Sequence, residues 1–257
     1  MTDSRHWLTY FRSNQSEPDE IPWHRAAPPP NRTLREILIP SLQQFQLGEN
    51  ASGMHFLALA REHGRVTGDP DFPEAIALFI AEEQRHSALL ARYLRLAGAP
   101  LLGEHWIHSV FRRMRHWAGL ESKVTVLVTA EILAVPYYRA LMDTTGCPVL
   151  TAICQRVLRE EAQHLLFQGN TLRRLQQKRP GWWVAATHLA QELFLVGTCL
   201  VTWLGHRRVF ALAGEGFLDV WFTSRVVLAH VQRAAAGQNP LAYRDAAAAR
   251  TRISLSQ

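Results

Sequence analysis

The sequence predicts an all-α protein, a four-helix bundle with one long crossover connection plus two C-terminal helices. Segments bounded by Pro, Asp or Gly follow one another along most of the chain, and strand-like alternation between turn residues is rare. Four of the predicted helices have about 22–30 residues, or roughly 33–45 Å, which is typical of bundle helices. A longer link between the second and the third of them indicates the crossover.

The composition is that of a globular protein. The chain has 257 residues, of which 47% are hydrophobic and 19% are charged, so it can bury a sizeable core. It contains 3 cysteines and no C-x-x-C pair, which excludes a disulfide scaffold, a zinc ribbon and a rubredoxin-type iron site. The polar N-terminus does not resemble a secretory signal. We therefore expect a reducing, cytoplasmic location.

The first half of the chain divides into an arm and the start of the bundle. Residues 1–32 are polar and end near a run of prolines, which predicts an N-terminal arm or linker. Residues 33–177 are assigned to the bundle. Its first helix is predicted over Pro40–His63 and its second over Phe72–Leu96, with Asp71 as the N-cap.

The crossover is predicted to hold a short helix near residues 108–117. The third bundle helix, Ser122–Asp143, contains Pro136, which is expected to kink it. The fourth bundle helix begins near Pro148 and ends near Gln177, before a Pro-Gly pair.

Residues 178–236 are predicted to form a helical pair packed on the bundle, with helices near 182–212 and 217–236, and 237–257 form a polar tail. Only 193–204 is cleanly apolar, which is too short to cross a bilayer.

The positive charge of the protein belongs to its C-terminal third. Residues 171–257 hold 11 Lys and Arg against 4 Asp and Glu, a net charge of +7, whereas residues 1–170 hold 17 against 18, a net charge of −1. A solvated surface is the favoured interpretation of the basic third. The alternatives are a nucleic acid or a lipid headgroup surface as partner.

Two of the predicted bundle helices carry the same acid–imidazole spacing. The second contains Glu83-x-x-His86, and the fourth contains Glu161-x-x-His164. Residues three apart lie on one face of a helix with Cβ atoms about 5–6 Å apart. Each pair can therefore present one carboxylate and one imidazole to a common metal ion.

The other two bundle helices each hold an isolated acid in apolar surroundings. Glu49 lies 34 residues before Glu83, and Glu131 lies 30 residues before Glu161. Two such helix pairs placed face to face would bring four carboxylates and two imidazoles together. Buried carboxylates without compensation are costly, and two divalent cations would balance their charge. Oxygen and nitrogen ligands without thiolate favour iron or manganese.

This pattern resembles that of the ferritin-like di-iron carboxylate proteins, which include bacterioferritin, rubrerythrin and the small subunit of ribonucleotide reductase. The resemblance covers about residues 40–177. It implies two iron ions, with manganese as the alternative, and catalysis through them. The ligands that it implies are Glu49, Glu83, His86, Glu131, Glu161 and His164. Glu83 and Glu161 would be the bridging carboxylates.

The resemblance also implies O₂ activation, by an oxygenase or oxidase that acts on an undetermined organic substrate. The alternative is a ferroxidase or iron-storage protein, and a third is a structural metal site in a scaffold. The additional C-terminal helices favour a pocket or partner surface over a cage wall. Because the chain lacks the cysteines of a rubredoxin-type site, an oxygenase would need an external reductase or ferredoxin. A homodimer is a further expected partner.

The contrary interpretation treats the two motifs as solvated helix faces, but it does not explain the isolated acids of the apolar helices. Glu82 and Glu160 lie one residue off the ligand face, and we expect them to point to solvent or to pair with Arg85 and Arg159. Tyr93 and Tyr138 each lie seven residues after a ligand and could be a hydrogen-bonding group or a redox-active phenol near the metals, although packing in the bundle is the favoured interpretation. Gln46 and Gln168 lie one turn from Glu49 and His164, and either contacts behind the ligands or packing at the core edge is expected of them.

Overall fold

The computed structural model describes residues 3–17, 20–50, 53–103 and 119–237. Every regular element in these ranges is helical, which confirms the all-α class. The helices are α1 Ser4–Gln15, α2 Arg32–Glu49, α3 Met54–Thr67, α4 Asp71–Leu96, α5 Leu120–Thr145, α6 Pro148–Gln176, α7 Gly181–Leu212 and α8 Phe217–Ala235, with a 3₁₀ turn at Trp23–Arg25. The predicted helix near 108–117 and nearly all of the predicted tail lie outside the described residues.

The chain divides into two compact units. The first unit comprises Met1–Lys123 and Tyr138–Val157, and the second comprises Val124–Tyr137 and Leu158–Gln257. The boundaries fall inside α5 and α6, so each of these helices contributes residues to both units.

In the first unit, α1, α2 and α3 all pack against α4. The apolar side of α4 is buried along its length, because large side chains recur at helical spacing. Phe72, Ile76, Phe79 and Leu90 are at most 2% exposed. This packing holds α4 in place along the segment that carries Glu83.

The N-terminal arm contains a helix that the sequence analysis missed. The side chain of Asp3 accepts a hydrogen bond from the backbone of His6 and so caps α1. Trp7 and Phe11 are buried, and the Phe11 ring meets Phe79 of α4 edge-on. A few well-spaced apolar residues are therefore enough to dock an otherwise polar segment.

The first predicted bundle helix is two helices. Asn31 caps α2 by accepting from the backbone of Leu34, so Pro40 lies inside the helix and does not begin it. After α2 ends at Glu49, Gly53 has φ +62°, a left-handed conformation that favours glycine. A Cβ at Gly53 would lie 2.6 Å from the Ile80 side chain. Local backbone chemistry thus interrupts a segment that hydropathy alone joins.

The remaining helices that were predicted for a bundle lie close to their predicted bounds. Helix α4 begins at Asp71, which was predicted to be the N-cap, so that prediction is wrong by one residue. The side chain of Asp69 accepts a hydrogen bond from the backbone N–H of Phe72 at 3.2 Å. Helix α5 extends the prediction by two residues at each end and contains Pro136. It ends at Gly146, where φ is +59°.

In the second unit, α7 and α8 form an antiparallel hairpin. The Trp203 and Phe217 rings lie 6.1 Å apart, and Arg225 lies 3.6 Å from the Glu192 carboxylate. Helix α6 approaches α8 closely at Gly169, where a Cβ would meet the backbone oxygen of Val231 at 3.1 Å.

Two helices in the described ranges are long and apolar enough to cross a membrane by length and composition, α5 and α7. In α5, 72% of the apolar window is buried, as in the core helix of a soluble protein. In α7 the buried share is only 22%. Helix α7 passes this test over a longer window than the cleanly apolar 193–204, because the window tolerates the polar residues before it.

Candidate metal centre

The first unit brings together one acid–acid–imidazole set, here called the first triad: Glu49, Glu83 and His86. Glu49 is the last residue of α2, and the other two lie one turn apart in the middle of α4. Their ligand atoms all lie within 4.8 Å of one another. Glu83 Oε1 lies 3.8 Å from His86 Nδ1, and the His86 side chain is fully buried. The helical spacing therefore does place the pair on one face, as predicted.

Hydrogen bonds position the helices around the first triad. The Tyr138 hydroxyl donates to Glu49 Oε1 at 3.0 Å. Gln46 Nε2 donates to Ser87 Oγ at 2.9 Å, and Ser87 Oγ donates in turn to the Gln46 carbonyl at 3.0 Å. These bonds join α2 to α4 one residue after His86, so they fix the two helices next to the triad.

The second unit holds an equivalent set, the second triad: Glu131 of α5 with Glu161 and His164 of α6. Its ligand atoms also lie within 4.8 Å of one another, and all three residues are buried. Glu161 Oε2 lies 3.5 Å from His164 Nδ1. Gln168, one turn after His164, donates from Nε2 to Glu131 Oε1. An amide thus orients the carboxylate of α5.

The distances in both triads suit metal coordination. Bonds of about 2.0–2.2 Å to oxygen and nitrogen place opposite ligands of one ion up to roughly 4.4 Å apart. Ligand atoms that all lie within 4.8 Å of one another are therefore near enough to share one ion. Each triad holds two carboxylates near each other in protein interior, an arrangement that a divalent cation stabilises. The donor set contains no sulfur, because all three cysteines are buried elsewhere.

The acids next to the triads do not point to solvent, so that part of the expectation is wrong. Glu82 and Glu160 are 2% and 4% exposed. Glu82 lies 3.5 Å from Arg85, which confirms the alternative of an arginine pair, and it also accepts from Asn14 Nδ2 at 2.5 Å. The bond from α1 links the missed N-terminal helix to the residue beside Glu83. No sequence spacing connects residues so far apart in the chain.

Of the two tyrosines, only Tyr138 contacts a triad residue in the described contacts. Tyr93 donates instead to the backbone oxygen of Ala27 at 3.3 Å. Burial, followed by the nearby Cys147 thiol, raises the pKa of Tyr93. Tyr93 therefore stays protonated and has the packing role that the sequence favoured.

A second polar contact was also missed. Lys123 is buried, and its Nζ lies 2.8 Å from His55 Nδ1 at the start of α3. Both residues belong to the first unit. The pair offers no carboxylate, and the sequence contains no spacing signal for it.

Comparisons with models of protein families, with curated proteins and with solved structures found no match. The ferritin-like resemblance therefore stays a prediction from the motifs. What the geometry adds is local: two Glu/His sets, one partly and one fully buried, that could each bind a metal ion.

Proposed function

We propose that the two triads supply six ligands to one dinuclear metal centre and that the protein carries out O₂-dependent oxidation there. The observation that carries the proposal is the repetition of one ligand set. Each unit has a lone glutamate and a Glu-x-x-His pair, with ligand atoms within 4.8 Å. A chance surface pattern would not be expected to recur with the same residue types and with a buried histidine in both units.

Charge balance supports two divalent cations in total. Together the triads have four carboxylates and two neutral imidazoles, which matches two divalent cations. Helix α5 offers a connection, because Tyr138 lies two turns after Glu131 on the same helix and donates to Glu49. We assign the helices of the proposed bundle to α2, α4, α5 and α6.

Iron is the metal we propose, with manganese as the alternative. A bound ferrous pair would supply the binding and reduction of O₂, which protein side chains alone cannot perform. Glu49, Glu83, Glu131 and Glu161 would bind the ions as charged ligands, and the two histidines as neutral ones. Tyr138 and Gln168 would orient Glu49 and Glu131 through their hydrogen bonds.

Electron supply requires a partner. The described cysteines are buried, and burial raises the pKa of Cys154 and Cys199, so these thiols are neither ligands nor redox groups at neutral pH. We therefore propose an external reductase or ferredoxin as the donor and an organic molecule as the substrate.

Anaerobic loading with ferrous iron tests the proposal. We expect two irons per chain, an absorbance change on exposure to O₂, and no growth into a large mineral-filled particle. Glu161→Gln should lose at least one iron and the O₂ response. Glu160→Gln is the matched control, because it changes an equally buried neighbour outside the triads.

The outcomes separate the alternatives. One iron or none in folded wild-type protein would overturn the dinuclear centre. Two irons with mineral accumulation in a shell would replace the oxygenase with iron storage. Two irons that do not respond to O₂ would indicate a structural site.

A further inference from the structure

Helix α7 exposes an unbroken apolar face. Between residues 184 and 205, every residue of this helix in the exposed class is Ala, Gly, Val or Leu. The large side chains on this face are Leu189, Leu193, Val196, Leu200, Val201 and Leu204. Leu189 and Leu193 are 63% and 68% exposed, which is far from the burial expected of leucine.

The neighbouring helix α8 also exposes large apolar side chains. Leu218 and Phe222, one turn apart near its start, are 69% and 53% exposed. Among the polar residues of α7, Gln191 and Thr198 are buried, Thr187, His188 and Thr202 are half-buried, and Glu192 pairs with Arg225. A contiguous apolar surface without exposed polar residues marks an interaction site.

Basic and aromatic residues stand at both ends of this face. Lys178 and Arg179 precede it and Arg207 and Arg208 follow it, and all four are exposed. Trp182 is 69% exposed beside the first basic pair. Arginine, lysine and tryptophan at the borders of an apolar helix face are the pattern by which helices settle at the headgroup level of a bilayer.

A second copy of the chain fits this face less well. An isologous contact through α7 in antiparallel orientation, centred near Leu193, would bring Arg179, just before the helix, towards Arg207 of the other copy, just after the non-helical backbone of His206. A parallel contact would place each basic pair against itself. In both cases like charges meet without acids on the exposed face to offset them, whereas anionic lipid headgroups would neutralise all of them.

A position in which α7 crosses the bilayer also agrees less well with the structure. Helix α8 is joined to α7 by a short turn and packs along it. It contains Asp219, Arg225, His230 and Arg233, and it is not among the helices apolar enough to span. A helix bound along such a partner can enter the boundary between headgroups and acyl chains but not the bilayer centre.

We infer that the α7 face binds the surface of an anionic lipid bilayer, with the helix lying in the plane of the membrane. The leucine and valine side chains enter the acyl boundary, and the basic residues at both ends bind lipid phosphates. This binding involves residues of the second unit alone and needs no metal, so it stands or falls separately from the oxidation proposal.

Co-sedimentation of the metal-free, full-length protein with vesicles tests the inference. We expect binding to phosphatidylcholine vesicles that contain phosphatidylglycerol, and at least tenfold weaker binding to phosphatidylcholine alone or at high salt. Leu193→Glu and the pair Arg207→Glu, Arg208→Glu should each weaken binding at least tenfold. Val66→Glu is the matched control, because Val66 is 68% exposed but lies on α3.

A label gives the second measurement. Because the three native thiols are buried, a fluorophore would react selectively at Leu200→Cys, or at Val66→Cys as control. Spin-labelled lipids should quench the fluorophore at Leu200→Cys alone. Equal binding to both vesicle types, unchanged binding of the arginine pair variant, or a dimer that Leu193→Glu dissociates and vesicles do not bind, would each overturn the inference.

Discussion

The two triads have the same residue types but differ in their access to solvent. Glu131, Glu161 and His164 are all buried in the second unit. In the first unit His86 is buried, but Glu49 is only partly so and the Glu83 side chain is 19% exposed. A repeated motif therefore does not have repeated surroundings: the carboxylates of the first triad are more accessible to solvent than those of the second.

The largest expected effect is on metal-dependent stability. The unfolded chain cannot assemble the triads, so a metal at one hundred times its Kd should raise the free energy of unfolding by about 2.7 kcal/mol. We expect a higher melting temperature with anaerobic ferrous iron or Mn²⁺, and no increase in a Glu83→Ala, Glu161→Ala double variant. Calorimetry measures both. Identical wild-type melting with and without metal would mean that the triads bind no ion.

The second largest expected effect is on metal affinity, when the side chains that donate hydrogen bonds to the ligand carboxylates are changed. Removing the donors in Tyr138→Phe and Gln168→Leu should weaken metal binding about 10- to 100-fold. Gln168→Leu should have the larger effect, because its acceptor lies in the fully enclosed triad. Isothermal titration with Mn²⁺ measures the affinities. Tyr93→Phe serves as control, since that hydroxyl bonds to the Ala27 carbonyl and lies near Cys147, and neither belongs to a triad; equal losses in all three variants would contradict the assignment.

A smaller effect distinguishes the triads without metal. Buried like charges repel more strongly than charges near solvent, so Glu161→Gln should stabilise the metal-free protein by about 1 kcal/mol or more. Glu83→Gln, at a partly exposed carboxylate, should change the stability by less than about 0.5 kcal/mol. Urea unfolding of both variants makes the comparison. Equal effects would show that the difference in burial has no energetic consequence.

Much of this arrangement could be predicted from the sequence, because it depends on local rules. The bounds of α6 and the shared face of Glu161 and His164 follow from helical periodicity and a flanking Pro-Gly pair. The break before Met54 could not be predicted by hydropathy, because it depends on a left-handed glycine against Ile80. The bond from Asn14 to Glu82 depends on tertiary packing across more than sixty residues. The burial of Glu82 could not be predicted from the sequence for the same reason.

The smallest expected effect concerns one buried thiol in each unit. Burial raises the pKa of Cys154 and, opposed by the nearby Ser224 hydroxyl, that of Cys199. As the pH rises, the thiols of the unfolded chain therefore ionise at a lower pH than those of the folded protein. Their contribution to the free energy of unfolding is complete below the ordinary thiol pKa of about 8.5 and declines as the pH rises above it. Urea titrations at pH 7.5 and above 9 should show this decline. Rapid reaction of native protein with a thiol reagent at pH 7.5 would contradict it.

The position of Glu49 at the last residue of α2 has a consequence for the helix itself. The carbonyl groups that end a helix carry the negative pole of its macrodipole, and the last turn of α2 contains no basic residue. A carboxylate there disfavours the helix end by about 0.3–1 kcal/mol. A cation held by Glu49 would replace this repulsion with attraction. The final turn of α2 is therefore where amide hydrogen exchange should slow most when the metal binds, and where the chain should fray first when it leaves.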